Sequence, residues 1–506
     1  MNSNSRKLLV VFAALAALVA ISLRDRSLGA IVTPSAQQSP ADPALAARIA
    51  RIESGILPAV IIKGQPAKPM TVADRMAFHK VPGVSIAFFD HGQIIWTRAY
   101  GLADVAAKKP VTPDTLFQAA SISKPVAALA ALRLVEDGKL TLDEDVNIEL
   151  RTWKVPENSF TEKEKVTIRR ILSHSAGLTV HGFPGYASDE PLPTVVQILN
   201  GEKPANTDPI RVDTIPGTLW RYSGGGFVVL QTLLSDVTGK PFPQIMSELV
   251  LRPAGMTRST YEQPLPKNRA SEAATPYRSN GDAVKGGSHT YPEMAPAGLW
   301  TTPSDLARMA IEVENEFTGK SSKILNQDMA RQMLTIQFGT WGLGFGLESP
   351  GGKLVFSHGG ANEGFRCNLE THTDSGQGLA VMTNSDSGGE LAEEIFRSVA
   401  KEYDWPDHHP AERALIKINP AVFKPYAGIY EVPGIGKLTV TVKDTGVYIQ
   451  ADPLGPEPQK LLPESPTQFF VLSGDATFTF QKDAQGAVTK LIVRAGPQTF
   501  EAKKIS

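Results

Sequence analysis

Strand signals cluster at the two ends of a long helical middle, and this arrangement restricts the fold more than any other feature of the chain. From about Val81, VSIAFF and QIIWTRAY flank Asp90-His91-Gly92 and read as a β-hairpin. Residues from about Thr141 to Leu334 are mostly helical segments and loops, with Gly224-Gly225-Gly226 opening the apolar run FVVLQTLLSDVTG. Strand signals return at GKLVFSH, GFRCNLE and GLAVMTN and lead into the helical ELAEEIFRSVAKEY. Strands need partners, and strands this far apart find them if both ends share one antiparallel sheet covered by helices. The expectation is an α+β domain, an antiparallel sheet flanked by helices with an all-helical subdomain contributed by the middle.

At 506 residues the chain is longer than one core usually grows. Beyond Pro410 the pattern changes: LTVTV, VYIQA, FFVL, ATFTF and VTKLIVR alternate with Gly, Asp and Pro turns, the signature of a small antiparallel sheet or barrel. The boundary is placed near Ala411 to Phe423, giving a large domain over 45–405 and a small β domain over 411–506. At the other end Arg6 and Lys7 precede the apolar run Leu8 to Leu23, followed by Arg24 and Arg26. Residues 1–30 therefore read as either a cleaved signal peptide or a retained membrane anchor through residues 8–23, which places the body of the protein outside the cytoplasm, periplasmic or extracellular. Residues 31–44, rich in Pro, Ser and Ala, read as a linker.

Charge and rare residues narrow the chemistry. A net charge of −1 gives no electrostatic reason to expect nucleic acid. The single cysteine, Cys367, excludes an intrachain disulfide and a cysteine-based metal cluster, and in the strand-like GFRCNLE it reads as a packing residue. Nine histidines form no H-x-H or H-E-x-x-H pair, so no metal site is expected. Gly-x-Ser-x-Gly is absent, which removes the nucleophile elbow. Asp386-Ser387-Gly388-Gly389 leads straight into a helix, and WGLGFGL lacks the spacing of a dinucleotide loop.

One serine remains. In AASISKPVAALAAL, Ala119 to Leu132, Ser121, Ser123 and Lys124 stand in the first turn of an otherwise apolar helix, and alone they read as an N-cap and a snorkelling lysine. The chain holds Ser-x-x-Lys twice, but Ser398 to Lys401 falls at the end of a helix, where the macrodipole opposes an oxyanion. Only Ser121 stands at a helix start, where backbone N–H groups favour an anion. Pro125 agrees, being tolerated only near a helix start. Lys124 can act as base only if burial lowers its pKa from about 10.4, and Val126 to Leu129 provide apolar neighbours.

Ser121-Ile122-Ser123-Lys124, Tyr222-Ser223-Gly224 and His358-Gly359-Gly360, in that order, resemble the three motifs of the penicillin-recognising serine hydrolases, specifically the class C β-lactamase-related family with its esterases and D-amino-acid peptidases. The phrases LFQAASISKP, ILSHSAGL, LRPAGM, PAGLWTTPSDLARM and FSHGGANEGFRC are also similar, and the likeness runs from about Leu45 to Tyr403. The strand-rich tail resembles a lipocalin-like domain appended in that family. The resemblance implies a β-lactamase/transpeptidase-like fold in which Ser121 is the acylated nucleophile and Lys124 its proton partner. Tyr222 would shuttle protons, the N–H groups of Ser121 and Ala361 would form the oxyanion hole, and His358, Gly359, Gly360 and Gly224 would meet the substrate. Ser123 is left to cap or pack, and no cofactor is implied.

The sequence departs from the family at two positions. Gly224 stands where an asparagine is usual, and His358 replaces the lysine of the third motif, removing a permanent positive charge. Both point away from efficient β-lactam hydrolysis. The expected function is an exported serine hydrolase of esterase or D-amino-acid peptidase type acting on a small ester, amide or peptide, with a penicillin-binding or sensor-like envelope protein of little turnover as the alternative. His174, in ILSHSAGL, is read as a loop organiser, and Trp300 and Phe365 as either acyl-pocket or core aromatics.

Overall fold

The computed structural model describes residues 42–506 apart from 67, 433–435, 444–445, 452–457, 473 and 496–497. The N-terminal run at 8–23 therefore lies outside the described residues, as does most of the expected linker. No described helix is long and apolar enough to cross a membrane. The described chain divides into two compact units, one formed by 73–392 with 42–46, the other by 47–72 with 393–506.

The elements in order begin with helix α1 (Pro43–Ser54) and strand β1 (Val60–Ile62). Helix α1 starts inside the expected linker because Asp42 caps it: its carboxylate accepts from Ala44 N at 2.8 Å, its carbonyl accepts from Ala46 N at 3.0 Å, and Pro43 supplies a preset φ. The first large unit is built on a seven-stranded sheet. Its strands are β2 (Gly83–Asp90), β3 (Gln93–Asp104), β4 (Lys109–Pro110), β7 (Gly346–Glu348), β8 (Val355–Asn362), β9 (Phe365–His372) and β10 (Gln377–Thr383), in spatial order β4-β3-β2-β10-β9-β8-β7. A separate short pair joins β5 (Phe117–Gln118) to β6 (Trp300–Thr301).

Every pairing in the large sheet is antiparallel, and β2 lies directly against β10. The two ends of the domain thus share one sheet, as the strand distribution requires. VSIAFF is buried on both faces, which explains its nearly unbroken apolar run. The helical middle supplies α2 (Ser123–Glu136), α3 (Gly224–Thr238), α4 (Met294–Ala297) and α5 (Pro303–Phe317). Helices α2, α3 and α4 pack on one another, and α5 lies on β2, β3, β9 and β10. The fold is the expected α+β arrangement.

In the second unit β1 pairs in parallel with β11 (Ala411–Arg413), inside the stretch taken as a domain boundary. Helix α6 (Gly388–Tyr403) carries the second Ser-x-x-Lys. Ser398 Oγ there donates to Glu394 O at 2.8 Å and accepts from Leu57 N at 3.0 Å, so it is a buried helix hydroxyl with structural partners. Residues Gly428 to Lys504 close an eight-stranded barrel, β12 to β19. Sequence patterning found five of those strands and passed over Gly428–Val432, Gln459–Pro463 and Gln498–Lys504, which carry only two or three apolar residues each. The barrel core consists of side chains, among them Tyr430, Phe469, Phe478, Phe480 and Leu491, with Tyr426 stacked on Phe480 at 4.5 Å.

Candidate active site

The turn that carries Ser121 is pinned on several sides. Ala120–Ile122 form a single 3₁₀ turn that runs into α2 at Ser123. Ala120 sits at φ +48°, a conformation that costs an L-residue roughly 1–2 kcal/mol, so it needs neighbours to hold it. Ala119 N donates to Leu299 O at 2.8 Å, and Ala119 O accepts from Ile122 N and from the Cys367 thiol, each at 3.0 Å. Ser123 does not cap the helix, contrary to one expectation from sequence: neither Ala119 nor Ile122 offers a side-chain cap, and Ser123 Oγ instead accepts from Leu299 N at 3.0 Å. Its carbonyl accepts from Tyr261 OH at 2.7 Å. A hydroxyl buried this deeply is worth more as a tie between two segments than as a local cap.

Three residues on, Lys124 lies on the same face, with Nζ 3.0 Å from Ser121 Oγ and 3.0 Å from Pro296 O, to which it donates. It is 2% exposed, and burial lowers its pKa to about 7. At that value much of the amine is neutral near pH 7 and can accept the Ser121 proton. Pro296, in α4, thereby supplies a carbonyl the motifs did not reveal.

Tyr222 closes the third side. Its ring centroid is 4.8 Å from Lys124 Nζ, and the nearby Ser121 hydroxyl offsets part of the effect of burial on its phenol. Burial pushes the phenol's pKa well up, so it carries its proton at neutral pH. The residue is held by the start of α3: Ser223 Oγ caps that helix by accepting from Gly226 N at 2.9 Å, and Ser223 N donates to His174 Nδ1 at 3.1 Å. His174 also stacks on Tyr222 at 4.2 Å, and burial holds its pKa far down. Because Nδ1 accepts, the neutral ring carries its proton on Nε2. His174 is a support for Tyr222, with no bond to Ser121 or Lys124 among the described contacts.

Strand β8 passes in front of the turn. Strand β7 pairs only with Val355–Ser357, so on that side 358–362 run alongside the Ser121 turn. The approach is close enough that a Cβ on Gly360 would fall well inside contact distance of Ala119 O and Cys367 Sγ. Gly359 and Ala361 are exposed on the same stretch, Ala361 paired with Arg366 of β9. His358 is 6% exposed, and its Nδ1 donates to Gly359 O at 2.6 Å. Burial first, and then the charge of Lys124, depress its pKa to about 3. His358 is therefore neutral at any working pH and provides no cation for a substrate carboxylate.

The structure thus brings Ser121, Lys124, Tyr222, His358, Gly359 and Gly360 into one place. Gly224 is near, but a side chain there would meet His181 O and Phe183 Cε2, each at 3.0 Å from its Cβ, so the loop at 181–183 occupies the space of the usual asparagine. Trp300 and Phe365 are core residues, packed edge to face at 5.8 Å. Sequence reasoning missed Trp220 and Trp341, whose rings join the cluster around Tyr222 from loops with no readable pattern.

Comparison with known proteins agrees with this geometry. The family model described as Beta-lactamase matches residues 70–403, and one described as a domain of unknown function, DUF3471, matches 412–505. Penicillin-binding protein 4* of Bacillus subtilis (strain 168) is 24% identical over 438 residues, covering 80% of this chain and 92% of that protein. Esterase EstB of Burkholderia gladioli is 34% identical over 178 residues, covering 33% of this chain and 43% of the esterase, under half its length. Among solved structures, the octameric penicillin-binding protein homologue from Pyrococcus abyssi superposes with a TM-score of 0.58 at 22% identity over 85% of this chain and 98% of that one, a likeness of fold.

Proposed function

Since this chain belongs to the Beta-lactamase family and is a serine hydrolase of that type, we propose that it hydrolyses a small neutral ester, or an amide of similar shape, through an acyl-enzyme on Ser121. The observation that carries the proposal is Lys124 Nζ at 3.0 Å from Ser121 Oγ in an environment that holds the amine near neutrality. In this reading Lys124 takes the hydroxyl proton as Ser121 Oγ attacks the carbonyl carbon. The N–H groups of Ser121 and Ala361 hold the oxyanion. Collapse expels the leaving group, which takes a proton from the Tyr222 phenol or the Lys124 ammonium. Water then attacks the acyl-enzyme, giving its proton to the same groups and restoring the serine. Export of the protein is proposed on the cation-flanked apolar run at 8–23 alone.

The preference for uncharged substrates rests on the third motif. A neutral His358 leaves a substrate carboxylate without a fixed cation, and the filled space at Gly224 removes the amide that would hold an acylamino side chain. Introducing the family asparagine, Gly224→Asn, is expected to destabilise the fold by about 1–3 kcal/mol through overpacking and to lower esterase activity. A melting curve and ester assay check this; a stable variant with new cephalosporinase activity would contradict it.

The test of the function is to incubate the soluble domain with a short-chain p-nitrophenyl ester, a chromogenic cephalosporin and a D-Ala-D-Ala peptide, following turnover and intact mass. Turnover of the ester above the other two is expected. A lasting acyl adduct with no turnover would favour the penicillin-binding, sensor-like alternative, and neither turnover nor adduct on any substrate from folded protein would remove the hydrolase reading.

The base also sets the pH dependence. With the folded Lys124 near 7 and the unfolded lysine near 10.5, kcat/KM for an uncharged ester is expected to rise with pH through a midpoint of about 7. Between about 7 and 10.5 the unfolded state binds the extra proton, so this residue's contribution to stability increases with pH across that window and is constant below it. A midpoint near 10 in the rate profile would show that Lys124 is not the neutral base.

A further inference from the structure

Resting on the serine-hydrolase reading above, we propose that the Trp341 indole, braced by Trp220, is the platform for the leaving-group half of the substrate, and that the enzyme selects esters whose alcohol carries an aromatic or bulky apolar group. Trp341 closes a tight hairpin: Gln337 N donates to Trp341 O at 2.8 Å, and Trp341 N donates to Phe338 O at 2.9 Å. A bridge to Gly346 ties the hairpin to β7, next to the strand that carries His358. The indole stands edge-on to Tyr222 at 6.0 Å and to His358 at 5.6 Å, with Trp220 at 5.6 Å behind it. Its remaining ring neighbour, His174, is buried, while Trp341 itself keeps part of its surface exposed.

The side of the site is decided by Tyr222. Taking the Tyr222 phenol, rather than the Lys124 ammonium, as the donor to the departing heteroatom, the ring packed against it borders the space into which the alcohol leaves. The rim there is apolar: Leu219, next to Trp220, is 50% exposed, and Ile336, opening the Trp341 hairpin, is 55% exposed. Isolated exposed aliphatics are ordinary, so the platform rests on the indole pair itself, with these two as its neighbours in the chain. The nearest cation in sequence, Arg221, is bound to Asp213 and to Gly177 O and is turned to structural use. An aromatic or extended aliphatic alcohol gains burial and ring contact on this wall.

The test compares kcat/KM for propyl acetate, 3-phenylpropyl acetate and propyl 4-phenylbutyrate, whose alcohols have closely matched acidity, on wild type, Trp341→Leu and Trp341→Phe. Wild type is expected to favour 3-phenylpropyl over propyl acetate by about tenfold. Trp341→Leu is expected to bring that ratio to about one, and Trp341→Phe to retain much of it. Both acetates are measured on one preparation, so the ratio does not depend on the fraction folded. Equal rates on the two acetates by wild type, a ratio unchanged in Trp341→Leu, or a preference seen only with the phenyl on the acyl half would each overturn the platform while leaving the hydrolase reading intact. Failure of wild type on all three esters would overturn both.

Discussion

Replacing Ser121 with alanine is expected to lower kcat/KM for ester hydrolysis by on the order of 10⁴-fold or more, with the fold intact. Among the described residues the hydroxyl is hydrogen-bonded to Lys124 Nζ, a group of the site itself. Its removal leaves Lys124 still bonded to Pro296 O and leaves the turn anchored through Ala119 and Ser123. What disappears is the only atom placed to form the acyl bond, so the remaining rate is that of bound substrate meeting water. Intact-mass analysis adds an independent reading, because no acyl adduct can form. The neighbouring Ser123→Ala separates chemistry from architecture: it strands Leu299 N, costing about 1–3 kcal/mol in stability, while the nucleophile survives. Wild-type turnover by Ser121→Ala would place the nucleophile elsewhere.

The second large effect is expected at Gly360. An added methyl would overlap Ala119 O and Cys367 Sγ. Neither is the loose end of a side chain: the carbonyl belongs to the turn that carries Ser121, and the thiol donates to that carbonyl. Strand β8 and the turn must therefore separate, and a displacement near 1 Å at a reacting centre costs about 10²-fold. Gly360→Ala is expected to lose about that factor in kcat and about 1–3 kcal/mol of stability. Gly359→Ala is expected to cost less in stability, since its Cβ would meet Asn368 Oδ1 at 3.3 Å and Cys367 O at 3.9 Å, neither under 3 Å. A Gly360→Ala enzyme within threefold of wild type would mean that the close approach is irrelevant to catalysis.

Much of this protein was legible before any coordinates. Alternating and apolar runs at 84–104 and 355–383 implied the shared antiparallel sheet, because β-strands advertise themselves through a two-residue period and cannot remain unpaired. Ser121 and Lys124 stood out by their place at a helix start, Tyr222 and His358 by the likeness of three ordered motifs to a known family, and the structure brings the four together. The misreadings have a common cause. Ser123 looked like a cap because cap preference is local, yet its partner, Leu299 N, lies 176 residues away. Three barrel strands were missed because two or three apolar residues each give too little local pattern, and their partners lie across the barrel.

By itself, then, the sequence determined the shared antiparallel sheet with its helical middle, which of two Ser-x-x-Lys serines stands at a helix start, and which residues to propose as nucleophile, base and proton carrier. Tertiary structure alone decided how well they act. The pKa of Lys124 near 7 comes from burial among α2, α3 and α4, and the neutrality of His358 from the same dry surroundings. The support of Tyr222 by His174 and Trp341 joins loops with no shared local pattern. Hydrogen-bonding type and period are written residue by residue, whereas dielectric environment and close approach arise only when distant segments exclude water together.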